Sequence, residues 1–254
     1  MVFVALALLA TPAAAAEEAP ICTDRPTKAN AVCTVTAGKF QMETSLAQWS
    51  RIETGGSVTE VWQVGGSVLK FGLSERSDLQ LGFTPFVDVD SGPSRLSGIG
   101  DLTARYKHRL TADGALIQIA FIPFVKLPTA KHGIGNGKVE GGLAFPISIA
   151  TDSPVTLTFG PELDVLADTN GDSRHLQLVN LINASAPVAP RLTLTGELWM
   201  ATNFDPAERV TLASADLALT YAANANAQVD LGANLGLNSV TLDLEIYAGI
   251  SLRF

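Results

Sequence analysis

The segment T-L-D-L-E-I-Y-A-G-I-S-L-R-F, residues Thr241–Phe254, carries the strongest structural signal in the chain. Every second residue of this segment is apolar, and the residues between them are mostly polar. Successive side chains of a β-strand point to opposite faces. The period of two therefore predicts a strand with one apolar face and one polar face.

The same alternation continues through the chain from about residue 38, in segments that are separated by turn residues. This pattern is typical of strands joined by hairpins rather than of helices. We predict about twelve strands, at 38–52, 57–73, 78–88, 99–110, 115–127, 139–151, 155–167, 175–186, 191–202, 209–222, 227–237 and 241–254. The segments at 115–127 and 175–186 are apolar on both faces, so their inward register stays open. Several connections are tight turns, whereas Asp88–Gly98 and Pro128–Lys138 are expected to be longer loops.

The composition favours a β-barrel that spans a membrane. Hydrophobic residues make up 47% of the 254 residues, charged residues only 17%, and the mean hydropathy is +0.26. After the N-terminus, no apolar run reaches the roughly 18 residues that a spanning helix needs. A barrel with a lipid-facing apolar side and a polar lumen has this composition. A soluble sandwich or lipocalin-like barrel has the same alternation with its apolar side inward, and remains the alternative.

The net charge of −8 argues against nucleic acid as a partner.

The N-terminus has the pattern of a secretory signal peptide at residues 1–16, with an apolar stretch followed by Ala14-Ala15-Ala16. Residues 17–37 then form a short segment before the barrel at 38–254. This segment contains the two cysteines of the chain, Cys22 and Cys33, which we expect to pair as a disulfide in an exported protein.

In a membrane barrel the charged side chains belong in the lumen, because each one on the lipid face costs roughly 2–4 kcal/mol at mid-bilayer. Strands four and five supply basic candidates and the later strands acidic ones, which predicts a field across the bore. The alternative is that these charges pair with one another and fill the lumen. The lumen-lining candidates are Asp101, Arg105, Lys107, Arg109, Lys126, Glu162, Asp164, Glu197, Asp216, Asp230, Asp243 and Glu245.

The sequence offers only a weak catalytic candidate. Ser173 and His175 are two residues apart and would share a face on a strand, as a hydrolase fragment requires. The surrounding Asp168–Asp172 is rich in turn-forming residues and lacks the spacing of an EF-hand loop. We therefore predict no enzymatic activity, no metal and no cofactor.

Four blocks resemble one family of bacterial proteins. They are the segment Cys22–Glu43, which begins C-T-D-R-P, then G-L-S-E-R-S-D-L-Q-L-G at Gly72–Gly82, G-I-G-D-L-T-A-R-Y-K-H-R-L at Gly98–Leu110, and F-V-K-L-P-T-A at Phe124–Ala130. In this order they are similar to the family called "putative MetA-pathway of phenol degradation". The resemblance implies a barrel of the bacterial outer membrane that is linked to uptake of aromatic compounds. A terminal Phe254 after an amphipathic strand also resembles outer-membrane barrels, whose insertion machinery reads that residue.

These observations predict an all-β, closed antiparallel transmembrane barrel that transports small hydrophobic or aromatic solutes passively. Asp24, Arg25 and Pro26 give residues 17–37 one acid, one base and a rigid kink. Our hypothesis is that this segment plugs the bore, and the alternative is a periplasmic strap outside the barrel. The alternatives for function are a structural barrel with an occluded lumen and an outer-membrane lipid hydrolase.

Overall fold

The computed structural model describes residues 19–254, so the predicted signal peptide lies outside the described residues. The chain forms one antiparallel sheet of sixteen segments, which closes into a barrel because the first segment pairs with the last. The segments are β1 (Phe40–Thr54), β2 (Ser57–Ser74), β3 (Ser77–Phe83), β4 (Phe86–Asp90), β5 (Arg95–Gly98), β6 (Leu102–Arg109), β7 (Ile117–Leu127), β8 (Glu140–Ala144), β9 (Ile147–Ala150), β10 (Thr156–Phe159), β11 (Glu162–Ala167), β12 (Arg174–Ala189), β13 (Leu192–Asn203), β14 (Val210–Asn224), β15 (Ala227–Gly236) and β16 (Leu244–Arg253). Among the described residues, no helix is long and apolar enough to cross a membrane.

The sixteen segments make twelve barrel strands, because β3–β4, β5–β6, β8–β9 and β10–β11 are each one strand with an interruption. Two interruptions contain Pro146 and Pro161, which have no N–H to donate to a neighbouring strand. The pairing register is the same before and after Pro146 and Pro161. The predicted closed barrel of twelve antiparallel strands is thereby confirmed.

Two details differ from the sequence prediction. The expected loop Asp88–Gly98 is largely a hairpin, in which β4 pairs with β5 and the amide of Ser91 donates to the carbonyl of Ser94 at 2.8 Å. The alternation F-V-D-V-D in β4 continues the strand beyond the predicted boundary. The last strand begins at Leu244 rather than Thr241, because the amide of Thr241 bonds back to the carbonyl of Asn238 in a turn.

The exterior of the barrel is apolar and the interior is polar. In β15, Leu231 is 59% exposed whereas the neighbouring Asp230 is 5% exposed, and the same alternation runs through β16. This is the inverse of a soluble barrel, whose apolar side chains face inward. The open registers are also settled, because Ala120 and Ile122 of β7 and Leu181 of β12 are buried inside while Leu178 is exposed.

The two ends of the barrel differ in their connections. We call the end that holds Phe40 and Phe254 the turn end, and the opposite end, with connections 128–139, 168–173, 204–209 and 237–243, the loop end. At the turn end the amide of Phe254 donates to the carbonyl of Phe40 at 2.8 Å, and their ring centroids are 6.3 Å apart. These exposed rings have the position of an interfacial aromatic girdle.

Candidate functional site: a disulfide-closed loop inside the barrel

The N-terminal residues 19–37 lie against lumen-facing side chains of the barrel. Cys22 and Cys33 form the predicted disulfide, which closes a loop that we call the inserted loop (Cys22–Cys33). This loop bonds to side chains of β1, β2, β6, β12, β13, β14 and β15. Contacts with so many strands around the ring place the inserted loop inside the barrel.

Asp24 is the acidic anchor of the inserted loop. Its two carboxylate oxygens accept from the ammonium groups of Lys70 and Lys107, each at 2.6 Å, and one also accepts from the amide of Ala31 at 2.8 Å. Lys70 is bound in addition by Glu43 at 2.5 Å. Burial alone would raise the pKa of Asp24. The positive charges of Lys107 and Lys70 lower this pKa by more than burial raises it, so the net shift is downward. Asp24 is therefore an anion held by two buried cations.

Arg25 and Lys28 are the basic anchors, and they bind the other side of the lumen. The guanidinium of Arg25 donates two bonds to Asp230, at 2.7 and 3.1 Å, and lies against Gly249, where a Cβ would collide with it. The ammonium of Lys28 binds Asp216 at 2.5 Å and lies 5.2 Å from the ring centre of Trp199. Both carboxylates are fully buried, so each depends on its partner in the loop.

Backbone amides of the segment satisfy three further carboxylates. Glu43 accepts from the amides of Asp24 and Arg25 at 3.0 and 3.2 Å. Glu197 accepts from the amides of Lys28 and Ala29, both at 3.0 Å, and Asp78 accepts from the amide of Val35 at 2.9 Å. Buried polar groups need such partners to offset their desolvation. The segment thus fits the lumen by charge and by hydrogen bonding.

Five of the predicted lumen residues come together around the inserted loop, namely Arg105, Lys107, Glu197, Asp216 and Asp230. Arg105 donates to Asn30 at 2.7 Å. The basic side chains face Asp24 and the acidic ones face Arg25 and Lys28, so the loop carries charges complementary to the walls.

Five of the remaining predicted residues lie elsewhere in the bore. Near the loop end, Lys126 binds Glu140 at 2.7 Å and Asp101 at 3.3 Å. Near the turn end, Arg109 binds Asp113 at 2.5 Å. Asp164 and Glu245 have neutral partners. Asp164 accepts from Gln177 at 2.9 Å, and Glu245 accepts from Gln48 and Asn234 at 2.8 and 2.6 Å.

Two expectations about the charges need correction. Asp243 is not in the lumen, because it lies in connection 237–243, is exposed, and accepts from the amide of Glu53 at 2.8 Å. Glu162 does not belong to the acidic wall opposite Arg105, since both residues line one cavity. Their strands are the seventh and fourth of the ring, which brings them to the same side of the bore.

The inserted loop separates two cavities of the lumen. On the turn side lies a cavity of about 230 Å³, lined by hydroxyl-bearing residues that include Thr158, Ser185 and Thr195. On the loop side lies a cavity of about 400 Å³, which we call the chamber. The chamber adjoins another cavity of about 420 Å³, with which it shares Arg105 and Glu162. Residues of the inserted loop line both the turn-side cavity and the chamber.

Sequence reasoning missed Lys28, Glu43, Lys70 and Asp78 as charged residues of the lumen. Glu43 and Lys70 alternate with outward apolar neighbours in β1 and β2, so the period of two was a sufficient signal for them. Asp78 is likewise followed by outward Leu79. Lys28 lies in a segment without periodicity, and no local pattern marks it.

The weak catalytic candidate does not form a catalytic pair here. His175 Nδ1 bonds to the carboxylate of Asp168 at 2.9 Å, and lies 3.8 Å from Asp205. In the described part of the chain, no hydrogen bond joins Ser173 to His175. Asp172, of the same acidic loop, binds Lys138 at 2.8 Å.

Comparison with protein families matches residues 23–254 to the family described as "Putative MetA-pathway of phenol degradation". The chain belongs to this family. No curated protein matches the sequence. The structure is similar to the COG4313 outer membrane channel from Pseudomonas putida F1, with a TM-score of 0.71 at 12% identity, covering 88% of this chain and 98% of that one. It is also similar to the translocator domain of the autotransporter NalP from Neisseria meningitidis, with a TM-score of 0.55 at 10% identity, covering 87% and 90%.

Proposed function

We propose that this protein is an outer-membrane channel for the passive uptake of small hydrophobic or aromatic solutes, closed at rest by the inserted loop. The family and the likeness to an outer membrane channel support a barrel channel. The solute class is suggested by the family description. The chamber combines an apolar part of its wall, with Val179, Leu181 and Trp199, with charged residues such as Arg105 and Glu162.

The orientation follows from the barrel architecture. Outer-membrane barrels have short turns in the periplasm and longer loops outside. The turn end, with both ends of the barrel chain, would then face the periplasm, and the N-terminal segment would enter the bore from there. Phe254 is 64% exposed at this end, where the insertion machinery could bind it and where it meets outer-membrane lipid.

The observation that carries the plug proposal is the shared lining of the two cavities. A solute that moves along the axis from the chamber to the turn side must pass residues 24–30. These residues are bound to opposite sides of the barrel through Asp24, Arg25 and Lys28. The position of the segment favours a plug over a strap outside the barrel.

The test compares the mature chain with a variant that lacks residues 17–37, both folded in lipid. Conductance of planar bilayers and release of benzoate from liposomes are measured for each. We expect the deletion to raise both. As a matched control, Arg209 at the loop end, whose guanidinium lies 4.5 Å from the ring centre of Phe204, is changed to Met and should leave both unchanged. Equal flux in the deletion variant and the mature chain would refute the plug.

Two alternatives give different results in the same experiment. A structural barrel with an occluded lumen is favoured by the many charged bonds of the inserted loop, and it predicts no flux with or without the segment. A lipid hydrolase predicts ester cleavage that is lost in Ser173→Ala and His175→Ala. We infer transport without catalysis and without a metal or cofactor.

A further inference from the structure

The chamber has a polar end that is built around two neighbouring carboxyl groups. Glu162 and Asp164 are two residues apart on β11, so both side chains point into the lumen, and both line the chamber. Their carboxyl groups lie within hydrogen-bonding reach of each other. Asp164 is only 5% exposed, and its Oδ1 has no hydrogen-bond partner among the described residues. Its Oδ2 accepts from the neutral side-chain amide of Gln177 at 2.9 Å.

No cation of the protein is paired with these two carboxyl groups. In the part of the chain that the structure describes, neither Glu162 nor Asp164 forms an ion pair with a lysine or an arginine. Arg105 also lines the chamber, but its guanidinium donates to Asn30 of the inserted loop at 2.7 Å rather than to either carboxyl group. The two acids are therefore buried together without a counter-ion of their own.

The other charges that line the chamber are already balanced. Four charged residues of its lining belong to the buried ion pairs that hold the inserted loop, namely Asp24, Arg25, Lys28 and Glu43. Three are left, namely Arg105, Glu162 and Asp164, which gives one positive charge against two carboxyl groups. A buried charge is costly unless a partner of opposite sign compensates it. The chamber thus lacks one positive charge at its polar end.

An apolar surface begins directly beside the two carboxyl groups. Glu162 is paired with Val179 in the register of β11 and β12, and Leu181 is the next residue of β12 that points inward. Leu181 lies opposite Trp199 of β13. All three apolar residues line the chamber, although lumen-facing positions of such barrels are usually polar. A molecule in the chamber would therefore meet carboxyl groups at one end and apolar side chains at the other.

An organic cation fits this arrangement better than a metal ion does. Ca²⁺ takes about six to eight oxygen ligands, and among the described residues no group of three or more His, Cys, Asp or Glu could hold a metal. A primary ammonium has three N–H donors, which two carboxyl groups can accept in charge-assisted hydrogen bonds. The apolar surface would pack against the hydrocarbon part of an amine, whereas a bare ion would make no use of it. Ligand pockets usually measure about 300–1,000 Å³, so a chamber of about 400 Å³ suits a small molecule.

We propose that the chamber is a binding site for small primary amines in their charged, ammonium form. The ammonium group bonds to Glu162 and Asp164. The apolar part of the amine packs against Val179, Leu181 and Trp199. The proposal rests on the channel function above and specifies which of its apolar and aromatic solutes the chamber selects, namely those with one positive charge. A neutral solute would leave the two carboxyl groups without a counter-ion, and an anion would be repelled by them.

Calorimetric titration of the mature chain, folded in detergent micelles at neutral pH, tests the site with four probes. Benzylamine has a ring and a positive charge, since an alkylammonium of the lysine type has a pKa of about 10.4. Methylamine lacks the ring, benzyl alcohol lacks the charge, and benzoate has the opposite charge. We expect benzylamine to bind at least about tenfold more tightly than each of the other three, because both the ionic hydrogen bonds and the burial of the ring contribute.

Substitutions of the two acids test the position of the ammonium group. The variants Glu162→Gln and Asp164→Asn each keep the shape of the side chain and remove its negative charge. Each should weaken the binding of benzylamine by about tenfold or more and leave that of benzyl alcohol unchanged. The matched control is Glu208→Gln, which removes an exposed carboxyl group at the loop end and should change neither affinity. If a variant fails to fold, the four probes on the unchanged protein still decide.

Equal affinities for benzylamine and benzyl alcohol would overturn the proposal and would indicate that a shared proton neutralises the two acids instead. Equal affinities for benzylamine and methylamine would overturn it as well, because the apolar surface would then have no part in binding. The channel function is judged separately, from the conductance of the variant that lacks residues 17–37. Selective binding of benzylamine without any conductance would overturn the channel and support the site. Conductance without a preference for benzylamine would overturn the site alone.

Discussion

Removing the charge of Arg25 should release the inserted loop and open the axial path. The change Arg25→Met keeps a flexible side chain of similar length but leaves Asp230 without its partner. That carboxylate is fully buried and accepts both of its charged bonds from this guanidinium, at 2.7 and 3.1 Å. The loop would then be bound by Asp24 and Lys28 and by its backbone amides.

The size of the effect follows from this burial. Breaking a buried ion pair by removing one partner costs about 3–5 kcal/mol, because the other charge remains uncompensated. Each 1.4 kcal/mol is about a tenfold change in an equilibrium constant. The equilibrium ratio of bound to released loop should therefore fall by roughly two to three and a half orders of magnitude. The other anchors keep the seated state accessible, so the channel should alternate between closed and open levels.

Single-channel recording in planar bilayers measures the open fraction directly. We expect a large increase for Arg25→Met and none for Arg209→Met, which also removes one positive charge but lies outside the bore. Asp230→Asn alone should open the channel as well. In the double variant R25M/D230N no charge is left buried without a partner, so its effect should be smaller than the sum of the two. An open fraction in Arg25→Met equal to that of the unchanged protein would refute this account of the anchors.

Three further predictions concern the loop and the connections. Reduction of the Cys22–Cys33 disulfide should raise the conductance, because a cross-link over a loop of this size removes about 3 kcal/mol of chain entropy from the open form; equal conductance before and after reductant would contradict this. Gly249→Ala should also open the channel, since the new Cβ collides with the guanidinium of Arg25, and the control is Gly196→Ala, where no atom lies within reach of a Cβ. Hydrogen bonds from the amide of Ala207 and from Thr169 lower the pKa of Asp205 below 3.8. The stability that they contribute is present above pH 3.8 and is lost as the pH falls through the lower folded-state pKa. Relative to the intrinsic rate, hydrogen exchange at the amide of Thr169 should therefore stay slow until the pH falls to the folded-state pKa of Asp205. In Asp205→Ala, which has no oxygen to accept from this amide, it should be fast at every pH.

The sequence predicted the strands and the two faces of the wall because the period of two is a local property. Leu231 beside Asp230, and Leu79 beside Asp78, show their opposite environments without knowledge of the partner strands. The interruptions at Pro146 and Pro161 were not predicted, since the alternation runs through them without a shift of register. A missing N–H changes the hydrogen bonds between strands and leaves the hydropathy pattern unchanged.

The sequence predicted the charged residues of the barrel wall and the disulfide-bearing segment separately, but not the ion pairs between them. Arg105, Lys107, Asp216 and Asp230 could be assigned to the lumen from alternation, but their partners lie in a segment that has no period and no regular structure. The position of that segment depends on charges that are close in space and far apart in sequence, such as Arg25 and Asp230. Only the disulfide gave a local sign that residues 22–33 form a compact unit.

The chemistry of the anchors suits a plug that must be released. A plug held by apolar packing would gain free energy in proportion to the area it buries, and would be hard to remove. The inserted loop is held instead by buried ion pairs, such as Lys28 with Asp216, whose attraction is largely offset by the cost of taking both charges out of water. Such pairs fix the position of the loop strictly while their net free energy stays small. Water that follows the loop into the open bore would hydrate both partners and recover that cost, so the open state is not prohibitively unfavourable. The same argument explains why the anchors bind opposite walls of the barrel. When one ion pair is lost, the loop is bound less tightly, but the remaining pairs still hold it in the lumen.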